Sequence, residues 1–127
     1  MMKKLLLLSV FGLLWGATNL QAQAQFDLKV LGSYHTGVFD EGAVEIVDYD
    51  PATQRAFFTN ADANSVTVLD VSDPRNPLLI ADISQDPYGA GVNSLACRGG
   101  IVAVAVQADA VDANGKVVFW TTDGTYL

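Results

Sequence analysis

The sequence predicts an all-β chain organised as a partial β-propeller: about two four-stranded antiparallel blades plus an N-terminal closing strand. In Val66 to Pro77, VTVLDVSDPRNP, the β-branched Val66, Thr67, Val68 and Val71 read as a strand. The Asp73-Pro74-Arg75-Asn76-Pro77 cluster then forces a turn before Leu78 opens another apolar run. The unit recurs fifty positions later, where Asp62 to Leu69 (DANSVTVL) lines up with Asp112 to Phe119 (DANGKVVF) and Asp73 with Asp123. A period of that size fits one four-stranded blade. No helical period follows Ala24.

The chain opens with Met1-Met2-Lys3-Lys4, an apolar run from Leu5 to Ala17, and the small-x-small triplet Ala22-Gln23-Ala24. These are the three parts of a secretory signal peptide, residues 1–24, with cleavage expected after Ala24. The run is 13 residues long, short of the roughly 20 a bilayer span requires, so no stable membrane insertion is expected after cleavage. Residues 25–127 then form one domain.

That mature piece has 103 residues with 5 basic and 14 acidic side chains, a net charge of −9. Such a surface repels nucleic acid and anionic lipid. Cys97 is the lone cysteine, so no intrachain disulfide forms and stability rests on packing.

In order, Phe26 to Tyr34 (FDLKVLGSY) alternates as one strand, the kind that closes a propeller ring by joining a last blade. Ala43 to Tyr49 is the next strand, after the turn residues Asp40-Glu41-Gly42. Asp50 to Gln54 turns at Pro51, Arg55 to Thr59 is a strand, and Asn60 to Asn64 is a hairpin loop. Val66 to Val71 and Leu78 to Ile83 complete the first blade.

The second blade runs through Val92 to Cys97, a turn at Arg98-Gly99-Gly100, Ile101 to Val106 and Lys116 to Thr121. Thr125-Tyr126-Leu127 reads as the start of its fourth strand. Ile101 to Val106 (IVAVAV) is apolar on both faces, as a strand sandwiched between sheets requires. The expected core is Val44, Ile46, Phe57, Val66, Val68, Leu79, Val102, Val104, Val106 and Val118, with two sheets face to face. One of Phe119 and Trp120 packs inward and the other outward.

Val68 to Pro77 (VLDVSDPRNP) resembles the LVIVD-type repeat of extracellular propellers. The wider stretch Gly32 to Leu127, with Thr36 to Ile46 (TGVFDEGAVEI) and Tyr49 to Thr53 (YDPAT), resembles the start of the choice-of-anchor I domain. That resemblance implies an exported bacterial protein, secreted, periplasmic or at the cell surface, of which this chain is an N-terminal fragment. The remaining blades of the full-length propeller are then its first partners. The family's occasional alkaline-phosphatase-like label implies the rival function.

The loops Asn60, Asp62, Asn64 and Asp109, Asp112, Asn114 carry oxygen ligands at alternate positions and are candidate Ca²⁺ loops. Calcium takes about six to eight oxygens, and Ser65 and Val71 stand where a calcium loop has glycine and its bidentate glutamate. Turn capping by Asn and Asp explains the same residues. Asp40, Glu41 and Glu45 form the densest acidic group, a candidate ligand or divalent-metal site at the mouth of a propeller channel. A solvated rim is the plainer account of it. His35 alone builds neither a zinc site nor a triad, Cys97 reads as a small core residue, and no catalytic residue is assigned.

The leading functional expectation is an exported binding or scaffolding module for an unknown protein or surface ligand. The alternative is part of a metal-dependent phosphoesterase. Unpaired strand edges of an incomplete ring are further expected to associate with other chains.

Overall fold

The computed structural model describes residues 26–127, so the leader 1–24 and its cleavage point lie outside the described residues. Within them the chain is all-β, with seven strands in two antiparallel sheets. The first sheet holds β1 (Val47–Asp50), β2 (Arg55–Asn60), β3 (Ser65–Asp70) and β4 (Leu78–Ser84) in that order. The second holds β5 (Gly91–Arg98), β6 (Ile101–Gln107) and β7 (Lys116–Thr121). Beyond β7, Trp120 bridges to Tyr126, and Leu127 N–H donates to the Phe119 carbonyl at 3.0 Å. A fourth strand thus begins at the position the sequence predicts.

Turn chemistry sets these boundaries. The Asp50 carboxylate accepts from Thr53 N–H at 3.2 Å and from its hydroxyl at 2.7 Å, closing the β1–β2 turn. Between β5 and β6 only Gly99 and Gly100 lie outside the Arg98–Ile101 pair, with φ of 61° and 83°. Positive φ at both positions is the two-residue hairpin geometry that glycine adopts without steric cost.

The sheets pack face to face through one shared core. Phe57, Val66 and Val68 from the first sheet meet Val92, Leu95, Val102, Val104, Val106 and Val118 from the second, with Ile83, Tyr88, Cys97 and Trp120 packed around them. Trp120 is the inward member of its pair, while Phe119 is exposed.

Three expected core residues are exposed: Val44, Ile46 and Leu79. Each has a backbone cause. Ala43 N–H donates to the Glu41 carbonyl at 2.8 Å, so the chain is still turning at Val44, and the regular ladder starts only at Val47. Ile46 lies just ahead of that ladder, at the start of the edge strand, where β2 alone flanks it. In β4 the partner of Val68 is Ala81 but the partner of Leu69 is Leu79, so Ile80 is an extra residue. That bulge turns Leu79 away from the core side held by Ala81 and Ile83. A second bulge between Val92 and Ser94 does the opposite, putting both Val92 and Leu95 inside.

The expected N-terminal strand is also absent. Phe26 to Tyr34 belongs to no sheet, and Phe26, Leu28 and Val30 are exposed. Its alternation is intact, but among the described residues no neighbouring strand takes up its N–H and C=O groups, which is what makes an extended segment a strand. Its second half docks through side-chain and backbone contacts instead. Tyr34 lies 6.1 Å from Phe58, ring centre to ring centre, over the outer side of the first sheet. Gly32 fits against the Pro74 and Arg75 carbonyls so closely that a Cβ there would sit 2.8 Å from the Arg75 oxygen.

Candidate functional site

Asp40, Glu41 and Glu45 are all exposed, on the bend that leads into β1. Asp40 has φ of 62°, and the Glu41 carbonyl is used by Ala43 N–H. Glu45 anchors its backbone to the first sheet, donating its N–H to the Thr59 carbonyl at 3.2 Å, while its carboxylate lies beside Gly42. The three therefore share one rim rather than a cleft. His35 is exposed, its Nε2 3.1 Å from Ser33 Oγ.

In the β2–β3 loop the amides serve the fold. Asn60 Oδ1 accepts from Ala63 N–H at 3.1 Å, and Asn64, with φ of 44°, donates through Nδ2 to Asp86 Oδ1 at 2.8 Å and to the Gly89 carbonyl at 2.9 Å. Asn64 thereby ties the β2–β3 loop to the β4–β5 connection, while Asp62 stays in solvent. Asp109, Asp112 and Asn114 are likewise exposed, in a loop closed by Ala113 N–H on the Ala110 carbonyl at 3.0 Å. Among the described residues, no three His, Cys, Asp or Glu side chains are grouped so as to hold a metal ion.

Polar contacts also cross between the sheets. Asp48 Oδ2 accepts from Cys97 N–H at 2.6 Å, and Arg55 Nη1 donates to the Thr122 carbonyl at 2.6 Å. Burial pushes the Cys97 thiol up, with the Asp50 and Asp48 charges adding to the effect. A protonated, half-buried thiol is a packing group and a poor nucleophile. Asp50 is held below the usual carboxylate range chiefly by Thr53, Asp70 by Ser72 and Asp123 by the Thr121 hydroxyl. These acids are turn caps held ionised by local donors, poor material for proton transfer.

Sequence reasoning passes over Asp48, Asn64 as a loop tie, and an aromatic cluster. Trp120 meets Tyr88 edge-on at 5.8 Å and Tyr126 at 5.2 Å, and the two tyrosines stack at 5.4 Å. Tyr88 lies on the β4–β5 connection and Tyr126 beyond β7, so no periodicity links them to Trp120.

The family model of the choice-of-anchor I domain matches residues 45–126, from just before β1 to just beyond β7. The chain belongs to the choice-of-anchor I domain family. Domains of this family are typically cell-surface or extracellular modules. No curated protein and no solved structure matches the chain. The matched span covers both sheets of this choice-of-anchor I domain and begins at Glu45, so Asp40 and Glu41 lie outside it.

Proposed function

We propose that this choice-of-anchor I domain is an exported binding or scaffolding module of β-propeller type, displayed at the cell surface or released outside it. The family match over residues 45–126 carries this reading. The two stacked sheets support its propeller part, since blades are antiparallel sheets packed through their faces. The leader-like residues 1–24 support export. Function then belongs to surface loops held by rigid sheets, and the exposed acids Asp40, Glu41 and Glu45 are the side chains offered to a cationic or polar partner.

Protease treatment of intact cells producing the tagged protein tests the display. Digestion of the tag from outside is expected, and a tag that survives until the cells are lysed would refute it. Recognition is tested by replacing Asp40, Glu41 and Glu45 with Lys and measuring retention of the purified protein on the producer's cell envelopes. Loss of retention with an unchanged melting temperature is expected. Undiminished retention would remove these residues from the site.

A further inference from the structure

The described residues include Asn60, Asn64, Asn76, Asn93 and Asn114. An asparagine carries an electrophile, its amide carbon Cγ, within reach of the backbone nitrogen of the residue that follows. When that nitrogen bonds to Cγ a cyclic imide closes and ammonia leaves. The fold controls whether this happens, because the closure needs an N–H not already bonded, a side-chain amide free to turn, and little crowding from the next side chain.

Asn60, Asn64, Asn76 and Asn93 do not meet these needs. The Asn60 Oδ1 is held by Ala63 N–H, and the next nitrogen, that of Ala61, donates to the Gly42 carbonyl at 2.8 Å. Asn64 Nδ2 is held by Asp86 and Gly89, and Ser65 after it is buried in β3. Asn76 precedes Pro77, whose nitrogen carries no hydrogen. Asn93 lies within β5 and is followed by Ser94, which pairs with Ala105.

Asn114 meets all of them. It and Gly115 are exposed, in the β6–β7 connection just ahead of Lys116. Among the described residues no group bonds the Asn114 amide or the Gly115 N–H. The ladder explains the free N–H. Thr122 N–H donates to the Gly100 carbonyl at 3.0 Å, toward β6, so the alternate residues Phe119 and Thr121 bond the other way. Phe119 accepts from Leu127 N–H at 3.0 Å and Thr121 N–H donates to the Thr125 carbonyl at 2.8 Å. Gly115 is in step with Phe119 and Thr121, and the segment Thr125 to Leu127 reaches only those two. Packing also fixes the glycine: a Cβ there would sit 2.5 Å from the Val106 carbonyl oxygen, so the residue that leaves Asn114 uncrowded is demanded by β6.

We infer that Asn114-Gly115 is a self-modifying site, at which the folded protein converts its own β6–β7 connection. The Gly115 nitrogen attacks Asn114 Cγ. The N–Cγ bond forms, the Cγ–Nδ2 bond breaks, and the Gly115 amide proton departs with Nδ2 as ammonia. Water then opens the imide. Addition at Cγ leaves aspartate, and addition at the main-chain carbonyl leaves isoaspartate, whose backbone runs through Cβ and Cγ. Isoaspartate thus places an extra backbone carbon directly ahead of Lys116, the residue paired with Val106. Either product gives the connection that holds Asp109 and Asp112 a third carboxylate.

The test holds the purified chain at neutral and at mildly alkaline pH, folded and in urea, and maps it by peptide mass spectrometry with fragmentation that separates aspartate from isoaspartate. A gain of about 1 Da at position 114 is expected, faster at alkaline pH because the deprotonated nitrogen is the nucleophile. Its rate in the folded chain should lie within ~3-fold of that in urea, whereas Asn60, Asn64 and Asn93 should react at least ~10-fold more slowly than Asn114 in the folded chain, since they react only on local opening. Asn114→Gln, whose longer side chain does not close the same ring, should remove the gain with an unchanged melting temperature. No gain at position 114, a rate there slowed ~10-fold or more by folding, or equal rates at Asn60, Asn64 or Asn93 in the folded chain overturns the inference.

Discussion

Val104 sits on the middle strand of the second sheet and is 0 % exposed, with Leu95 and Val118 as its cross-strand partners in the core. Val104→Ala removes two methyl groups, each worth about 0.8 kcal/mol of transfer free energy. The close-packed walls relax only partly, which adds a cavity cost. The expected loss is about 2–3 kcal/mol. For a domain of this size each kcal/mol lowers the melting temperature by about 4–8 °C. Urea unfolding followed by tryptophan fluorescence reads the loss directly, since Trp120 packs against the same core. Val117→Ala is the control: the same chemistry, one strand over, at a residue 58 % exposed, is expected to cost under about 0.5 kcal/mol. Equal losses at the two positions would refute the face assignment, and a Val104 loss under about 0.5 kcal/mol would refute the shared core.

Three other outcomes concern individual residues. Gly32→Ala brings a methyl group against the Pro74 and Arg75 carbonyls and is expected to cost about 1–3 kcal/mol by overpacking, read as a lower melting temperature; an unchanged melt would show that this segment does not dock. Asp50, Asp70 and Asp123 have folded pKa values below the ordinary 3.8, so the unfolded chain binds more protons around that pH. Their stabilisation is complete above the ordinary value and is lost as pH falls through the lowered folded values, so thermal melts should drop in acid and Asp50→Asn should flatten the drop. A melting temperature constant across the acid range would contradict this. Sequencing of the exported protein should begin at Gln25, and recovery of Met1 at its N-terminus would replace the cleaved leader with a retained one.

Strand existence is legible wherever branched residues meet a turn with its own chemistry. The β3 to β4 stretch is found because Val66, Thr67 and Val68 run into the Asp73 to Pro77 turn, and the β5–β6 hairpin because Gly99 and Gly100 supply both positive φ angles. Side assignment is legible only where the ladder is regular, as at Val102, Val104 and Val106. One extra residue at Ile80 or Asn93 reverses all alternation beyond it, and a period-two reading carries no mark of where a bulge falls. That is why alternation puts Leu79 inside, and why it does not find Val92 and Leu95 there.

The polar residues divide on the same physical ground. Asp and Asn recur in loops both because they cap turns and because their oxygens suit cations, and sequence spacing alone does not separate the two uses. Geometry separates them for Asn60 and Asn64, whose side chains are engaged within the fold, one inside its own loop and the other across to Asp86 and Gly89. Asp48 shows the reverse problem. As a carboxylate on a short strand it reads as solvent-facing, yet its Oδ2 holds the Cys97 N–H across the gap between the sheets. A charge-assisted hydrogen bond of this kind is short and directional, so it fixes how β1 lies on β5 where the apolar core alone permits sliding. The exposed acids Asp40, Glu41 and Glu45 lie instead on the bend ahead of β1, which is tied to the first sheet where Ala61 N–H donates to the Gly42 carbonyl at 2.8 Å and Glu45 N–H to the Thr59 carbonyl at 3.2 Å.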